Sequence, residues 1–462
     1  MAVRNTILAV GLLALAVVGG TLAYQGLRAR DYRELLGQGE AALSRGELFA
    51  AIEAYSGAIA LRPDSMIAYL RRGETYEQRG EIDAAVRDYR VAATLDPAAP
   101  RPREAVGDAL SRRGRYVRAA EAYEDRLRLD DSSAAVMNKL AFARYRAGNL
   151  DGALDAVKQS LELSDSAPEA HYLLGLCLRE RGELATAIDA FERSIELAPQ
   201  LAPPREELAD LYASLGRRAD ELGQLRLLAE IDRGHPGREV AIAEALSRAG
   251  RRELAILSLG DALERMPDEP LLYTALGRTW LDTAELPSSR PDALPKALAA
   301  LARVSSSENA GSGALTLYGR ALLLSGQDEA AERALRRAVQ AFPVDPDAFG
   351  ALALASWRLG RSQAVRDALA DYETLAATPE KFTTGVVGAA RFAMLLDDPA
   401  GAAVLFAAAA STRPADVRLL IDLADAQLRS GDLDAARTTI RRGLQTYPRE
   451  PTLIGLFHRS GE

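Results

Sequence analysis

Seven glycines set the frame of this chain: Gly46, Gly80, Gly114, Gly148, Gly182, Gly216 and Gly250 follow one another at intervals of 34 residues. A fixed period of this size marks a repeat array, in which each unit buries its apolar face only against its neighbours. The surroundings repeat with the glycine. Five residues downstream stands a small side chain (Ala51, Ala85, Ala119, Ala153, Ala187, Ala255), with Glu221 the exception. Nine residues downstream stands a larger apolar one: Tyr55, Tyr89, Tyr123, Val157, Phe191, Leu225, Leu259. Seven residues upstream is Gly or Ala: Gly39, Gly73, Gly107, Ala141, Gly175, Ala209, Ala243. Glycine takes positive φ at little cost, so each one ends a helix and starts the next in a tight turn. The small residues let the two helices approach, and the larger side chain fills the space between them. Pro63, Pro97, Pro199 and Pro267 then stop the second helix. The spacing predicts an all-α chain of helical hairpins.

This pattern resembles the tetratricopeptide repeat, a 34-residue helix-turn-helix unit with small-residue, aromatic and proline positions. With the glycine at position 15, units start at Tyr32, Met66, Pro100, Ala134, Pro168, Ala202 and Pro236. The frame returns at Gly326, Gly360 and Gly431, with Ala331, Leu335, Ala338 and Pro343 in one unit and Ala436, Ile440 and Pro448 in another. About twelve units then fit between Tyr32 and Pro451. The resemblance implies a right-handed superhelical solenoid. Its expected parts are an anchor or signal segment at 1–31, seven regular units at 32–269, an irregular eighth at 270–311, four more at 312–451, and a frayed tail at 452–462. The eighth unit holds Pro287, Pro291, Pro295 and the run Ser305 to Ser307; helices near Leu271–Thr283 and Ala293–Val304 fit it, joined by a long loop. That irregularity reads as a change of pitch, a hinge or a boundary between two blocks. The tenth and eleventh units are degenerate, with Pro379 and an Asp397-Asp398-Pro399 turn in place of the glycine.

Little in the sequence carries chemistry. The three histidines, His171, His235 and His458, are far apart, and His171 falls at a packing position of its repeat. No His-Glu-x-x-His, cysteine pair, phosphate-cradling loop or Gly-x-Ser-x-Gly elbow occurs. Asp130-Asp131 and Asp397-Asp398 fall at turns between helices and read as helix caps. Cys177, the single cysteine, lies between Leu176 and Leu178 on a first helix and reads as a buried structural thiol. The expectation is a protein that is not an enzyme and has no cofactor or metal. A net charge of −8 disfavours nucleic acid as a partner. Only four of 57 basic residues are lysines (Lys139, Lys158, Lys296, Lys381), and the dispersed arginines read as the coding bias of a GC-rich genome.

Thr6 to Tyr24 is uncharged, mostly apolar and near the length that crosses a bilayer core as a helix. Two readings stand: a cleavable signal peptide ending at Thr21-Leu22-Ala23, or a retained anchor, which the length and Arg28, Arg30 and Arg33 just beyond it favour. No cysteine stands nearby for lipid attachment. The α-amine and Arg4 on one side against three arginines on the other tilt the repeats towards the cytoplasm, making this an inner-membrane, single-pass protein.

In tetratricopeptide arrays the first helix of each unit lines a concave groove through positions 2, 5, 9 and 12. The resemblance therefore implies a groove presenting acidic Glu40, Glu74, Glu77, Glu104 and Asp108, then Asn138, Phe142, Tyr145, Tyr172, Leu176 and Arg179. An acidic stretch beside an aromatic one suits a peptide, because aromatics supply contact area at low entropic cost and charges set register. Only Asn138 and Lys139 echo the Lys/Asn/Arg clamp by which some relatives hold a C-terminal carboxylate. The expected role is a membrane-anchored scaffold that assembles partner proteins. The alternative is a periplasmic module that supports polysaccharide export or cytochrome maturation and binds glycan, although only Trp280 and Trp357 are there to stack on sugars and only Trp357 falls at a groove position.

Overall fold

A computed structural model describes the backbone of residues 2–287 and 289–461, and side chains from residue 24 onward in that range together with Thr21. Among the described residues there are 25 helices and no strand. The chain divides into two compact units, 1–211 and 212–462. The division falls inside helix α11 (Ala202–Ser214) and not at the irregular eighth repeat.

In the first unit, first-type helices α1 (Ala2–Ser44), α3 (Met66–Gln78), α5 (Pro100–Arg112), α7 (Ala134–Arg146) and α9 (Pro168–Glu180) alternate with second-type helices α2 (Leu48–Leu61), α4 (Ile82–Leu95), α6 (Tyr116–Leu127), α8 (Leu150–Leu163) and α10 (Leu184–Leu197). α1 carries the first repeat on its last turns, where Tyr32 and Ala42 are buried. Its earlier part contains the segment Thr6–Tyr24. Apart from Thr21 and Tyr24, the side chains of that expected membrane span lie outside the described residues, and among the described residues no helix is long and apolar enough to cross a membrane.

The framing glycines do what their spacing requires. All seven take φ between 70° and 85°, as do Gly326, Gly360 and Gly431. Each closes its first helix by a paired main-chain link: Glu81 N–H donates to Tyr76 O at 2.8 Å while Gly80 N–H donates to Glu77 O at 3.0 Å. The same pair recurs at Arg115 and Gly114, and at Glu183 and Gly182. These bonds satisfy carbonyls that a helix end would otherwise leave without partners. In the eleventh repeat Asp397 holds the left-handed place, at φ 55°, and Asp398 N–H donates to Ala393 O.

Helix spacing inside each hairpin is set by a small residue facing a large one. A Cβ built on Gly39, Gly73, Gly107 or Gly175 would stand 2.5–2.6 Å from the ring of Tyr55, Tyr89, Tyr123 or Phe191, sixteen residues on. Where the larger partner is Val157, Leu225 or Leu259, the smaller is alanine: Ala141, Ala209 or Ala243. In the second unit glycine also faces leucine, Gly277 against Leu301 and Gly319 against Leu335, so the close approach is not confined to aromatic partners. Ala51, Ala85, Ala119, Ala153 and Ala187 complete the contact at zero exposure.

A recurring polar link joins successive repeats. Arg103, Arg205 and Tyr273 each donate from position 4 to the carbonyl of the proline six residues earlier, at 2.6, 3.0 and 3.1 Å. His171, at the same position, lies 3.1 Å from Asp165 O and 3.0 Å from the Asp165 carboxylate. It is buried, a packing side chain with its polar edge satisfied.

The second unit begins with α12 (Arg218–Ile231) and continues through α13 (Pro236–Arg248), α14 (Arg252–Arg265), α15 (Pro270–Ala284), α16 (Ala293–Ser305), α17 (Ser312–Leu324), α18 (Asp328–Gln340), α19 (Asp347–Arg358), α20 (Ser362–Leu375), α21 (Pro379–Leu395), α22 (Pro399–Thr412), α23 (Val417–Ser430) and α24 (Leu433–Thr446). α15 and α16 are the two helices of the eighth repeat, separated by the proline-bearing loop. After α24, a last helix α25 (Pro451–Arg459) buries Leu453 and Leu456, so residues 452–459 pack as the closing layer of the unit. Asp398 caps α22 through Gly401 N–H at 2.8 Å, whereas Asp130 accepts from Ser132 and leaves the cap of α7 to Ser133. The Asp130-Asp131 pair therefore shapes a loop and is not a cap.

The hairpin contact makes a prediction against helix propensity. Gly107→Ala should destabilise the first unit by about 1–3 kcal/mol through overpacking on Tyr123, although alanine is worth about 1 kcal/mol more than glycine in a helix. Gly37→Ala on α1, where a Cβ meets nothing within 4 Å, serves as the control. Urea unfolding of both variants decides it: a Gly107→Ala midpoint at or above that of the parent would refute the contact.

Candidate functional site

The acidic residues expected to colour the groove of the first unit are all engaged. Arg71 reaches Glu40 at 3.6 Å and Glu74 at 3.0 Å, and Arg101 reaches Glu74 from the next repeat at 2.6 Å. Arg112 pairs with Glu77, which also accepts from the Tyr89 hydroxyl at 2.9 Å. Lys139 bridges Glu104 and Asp108, both at 2.8 Å, and Tyr123 donates to Asp108 at 2.7 Å. Burial works against the charge on Lys139, but the two carboxylates prevail and hold its pKa above the ordinary lysine value. Burial, with the adjacent carboxylates, also pushes the Tyr89 and Tyr123 hydroxyls up, so both stay protonated donors. The result is a ladder of ion pairs running from one first-type helix to the next. It occupies the carboxylates that sequence spacing alone presents as free. Exposed pairs of this kind contribute little individually, about 0–1 kcal/mol, but they fix the register of neighbouring helices.

The remaining predicted residues gather on α7 and α9. Phe142, 40% exposed, meets Tyr116 edge-on at 6.3 Å, and the Arg146 guanidinium lies 4.9 Å from the Tyr116 ring and 5.8 Å from that of Phe142. Tyr145 and Tyr172 are half-buried, and burial pushes both phenols above their ordinary pKa. Tyr172 packs on Phe191 at 6.0 Å. Leu176 is buried, and Arg179 is paired with Glu207 and Glu180. Between the two helices opens a cavity of about 350 Å³, walled by Phe142, Tyr172, Leu173 and Leu176 and bordered by Ser111, Tyr123, Asn138, Lys139 and Glu169. The Asn138 side-chain oxygen is itself buried and accepts no hydrogen bond among the described residues.

Four of the ten predicted residues thus line one cavity (Asn138, Phe142, Tyr172, Leu176). Glu74, Glu77, Glu104 and Asp108 stand apart from it in the ion-pair ladder, Arg179 is tied to its neighbours, and Tyr145 is not among the lining residues. Sequence spacing missed Tyr116, Tyr123 and Leu173. Tyr123 reads as a packing knob, yet its length carries the hydroxyl through to the cavity edge. Tyr116, two residues past Gly114, offers only the hint of an aromatic beside a turn. Cys177 is fully buried under this region, and burial, with Glu180 adding to it, pushes its thiol up to about 11. No group of three or more His, Cys, Asp or Glu able to hold a metal occurs among the described residues.

Four family models match this chain: Tetratricopeptide repeat at residues 105–168 and 138–202, at 393–456 and at 67–98, and TPR repeat at 39–80. The chain carries tetratricopeptide repeats. No curated protein matches it. Among solved structures it is similar to the yeast Tom70 (15% identity, 79% of this chain and 89% of that one, TM-score 0.42). It is also similar to a MamA fragment from Desulfovibrio magneticus RS-1 (17%, 36% and 94%, TM-score 0.35) and to YrrB, described as a TPR protein with an unusual peptide-binding site (24%, 39% and 93%, TM-score 0.34).

The raised thiol predicts chemical silence at Cys177. With its folded pKa near 11 and zero exposure, Cys177 should resist iodoacetamide at pH 8 in the folded protein and react fully in denaturant. Because the shift is upward, its contribution to stability is complete below the unfolded thiol pKa and is lost as pH climbs through about 11. Rapid native labelling, followed by mass spectrometry, would contradict the packing.

Proposed function

We propose that this protein is a protein-interaction scaffold whose first unit grips an extended segment of a partner between α7 and α9. One observation carries the reading: an apolar cavity of about 350 Å³ walled by Phe142, Tyr172, Leu173 and Leu176 opens between two first-type helices. A large apolar side chain carried on an extended chain is what such walls take. The ion-pair ladder beside the cavity leaves few uncompensated charges, so recognition rests on the anchor side chain and not on long-range attraction.

The partner's sequence is the unknown, so random peptides displayed on phage are the probe. Peptides selected on the full chain should be enriched in one large apolar or aromatic residue. Tyr172→Ala should weaken them at least tenfold, the size expected when a central anchor contact is removed, and Phe142→Ala should weaken them in the same direction, with the helical circular dichroism unchanged. Equal binding to the parent and both variants by calorimetry would sink the reading.

The membrane belongs to this proposal through Thr6–Tyr24, the uncharged stretch that α1 continues directly into the first repeat. In this reading the segment is retained, the scaffold is held at the inner membrane, and its repeats face the cytoplasm as the arginine count directs. Reporter fusions after Glu462 test it: fluorescence in the cytoplasm is expected, and activity of a periplasm-only enzyme would reverse the orientation. For the glycan alternative, neither tryptophan offers an open stacking face. Trp280 is 7% exposed with Lys296 over its ring at 4.5 Å, and Trp357 is packed against the core of its unit.

A further inference from the structure

The first unit has a second kind of groove, between successive second-type helices and floored by the first-type helix that joins them. Two of these grooves are filled from the floor by an arginine. Between α2 and α4, Arg72 donates to both carboxylate oxygens of Asp88, at 2.7 and 2.9 Å, and to the Ser56 hydroxyl at 3.0 Å. Between α6 and α8, Arg144 donates to Glu124 at 2.8 Å and to Gly152 O at 2.9 Å. In both, the floor supplies a guanidinium and the walls supply its acceptors, so the chain completes a charge-assisted contact within itself.

The groove that lies between these two, with α4 and α6 as walls and α5 as floor, has its charges placed the other way. Val106 and Leu110 hold the repeat positions of Arg72 and Arg144 and are buried, so no arginine rises from the floor. The cations stand on the walls instead: Arg90 on α4 and Arg118 on α6 line an open cavity of about 390 Å³. Both are exposed, and neither side chain makes an ion pair or a hydrogen bond among the described residues. Arg103, on the same lining, donates one N–H to Pro97 O at 2.6 Å. Of the two carboxylates on the lining, Asp125 is paired with Arg128, which leaves Glu121 alone against three guanidiniums. The same register elsewhere leaves no such excess. In the second unit the corresponding cavity, about 440 Å³, sets Arg336 opposite Asp367 and Asp371, and Arg336 is held by Glu332. Between α8 and α10, Lys158 stands at the repeat position of Arg90, and Thr186 at that of Arg118.

We infer that the α4–α6 groove binds an acidic side chain of a partner protein, whose carboxylate completes from outside the arginine–carboxylate contact that the neighbouring grooves make from within. Charge complementarity selects the carboxylate. Two unpaired guanidiniums lining one cavity repel each other, and an anion placed between them removes that repulsion and gains hydrogen bonds to both. The apolar floor selects a side chain over a free anion, because the methylenes of a glutamate rest on Val106 and Leu110 where inorganic phosphate has nothing to place. This site lies between second-type helices and shares no lining residue with the α7–α9 cavity, so it does not rest on the reading of that cavity.

The test titrates the full chain with a library of synthetic peptides that are acetylated and amidated, so that every carboxylate in the probe is a side chain. Binders should be enriched in glutamate next to an apolar residue. Arg90→Gln with Arg118→Gln, both at exposed positions, should weaken them about tenfold or more with the circular dichroism unchanged. Replacing the peptide's glutamate by glutamine should have the same effect, and raising the ionic strength to about 1 M, where the screening length falls to ~3 Å, should weaken the parent complex. Lys158→Gln, which removes a cation from the α8–α10 groove, and Tyr172→Ala, which opens the wall of the other cavity, should leave the affinity of these acidic peptides unchanged. No enrichment in acidic residues, or acidic binders indifferent to the paired arginine substitutions, would overturn the inference. Acidic binders lost with Tyr172→Ala would assign them to the α7–α9 cavity and overturn it as well, while supporting the reading of that cavity. Inorganic phosphate bound at Arg90 and Arg118 with no acidic peptide bound there would likewise defeat it.

Discussion

The structure depends on how closely two helices can approach within one hairpin. A ring laid flat against a glycine backbone, as Tyr123 lies on Gly107, brings the helix axes nearer than any side chain on both sides would allow. The alanines at zero exposure, Ala119 beside it, hold that approach along the next turn. Full burial of an aromatic or leucine side chain contributes about 1.5–3 kcal/mol, and each hairpin repeats the contribution, so the array gains stability unit by unit instead of from one central core. The left-handed glycine serves the same contact, because only a short turn keeps the two helices in reach.

That division of labour leaves the groove side of the first helices free to vary. In the first unit it has been filled with charge compensated from repeat to repeat: carboxylates on one helix meet arginine or lysine about one period further on, as Glu104 and Asp108 meet Lys139. The pairing holds neighbouring helices in register, and the tyrosines beneath it, Tyr89 and Tyr123, donate upward into the same carboxylates. Lys139 ends that run on α7, and between α7 and α9 Phe142, Tyr172 and Leu176 line the cavity instead. An apolar cavity beside charge-matched helices is where burial of a further apolar group gains most by displacing water.

The hairpins were legible in the sequence because each depends on residues a fixed distance apart on one chain. The period locates every turn glycine, and even the disordered-looking eighth repeat has its helices at Pro270–Ala284 and Ala293–Ser305, within two residues of the positions its sequence suggests. The candidate site was only half legible. Positions 2, 5, 9 and 12 pick out four of the residues that line the cavity, but they cannot tell a free Glu77 from one held by Arg112, since that distinction depends on side-chain reach across 35 residues. They equally miss that the Asn138 oxygen is left without a donor, a property of the whole surrounding shell. The tail shows the same limit: Leu453 and Leu456 are too short a run to announce a helix, yet the exposed end of the last hairpin needs covering and α25 covers it.

Residues 203–392 lie outside every matched repeat segment, and two buried carboxylates occur there. Glu221 takes the place of the invariantly small residue of the hairpin contact and is 1% exposed. Two guanidiniums stabilise it, Arg248 at 2.5 Å and Arg218 at 3.2 Å. In the ninth repeat the buried Glu332 accepts from Arg336, Arg361 and the Ser356 hydroxyl; burial would raise its pKa, but the two arginines hold it below the ordinary value. A buried carboxylate between arginines adds little net stability compared with an apolar residue of the same shape, and it costs several kcal/mol if one partner is lost. In the second unit Glu221 replaces the small residue of the hairpin contact, whereas Glu332 stands beside Ala331, in a repeat that otherwise keeps the common pattern.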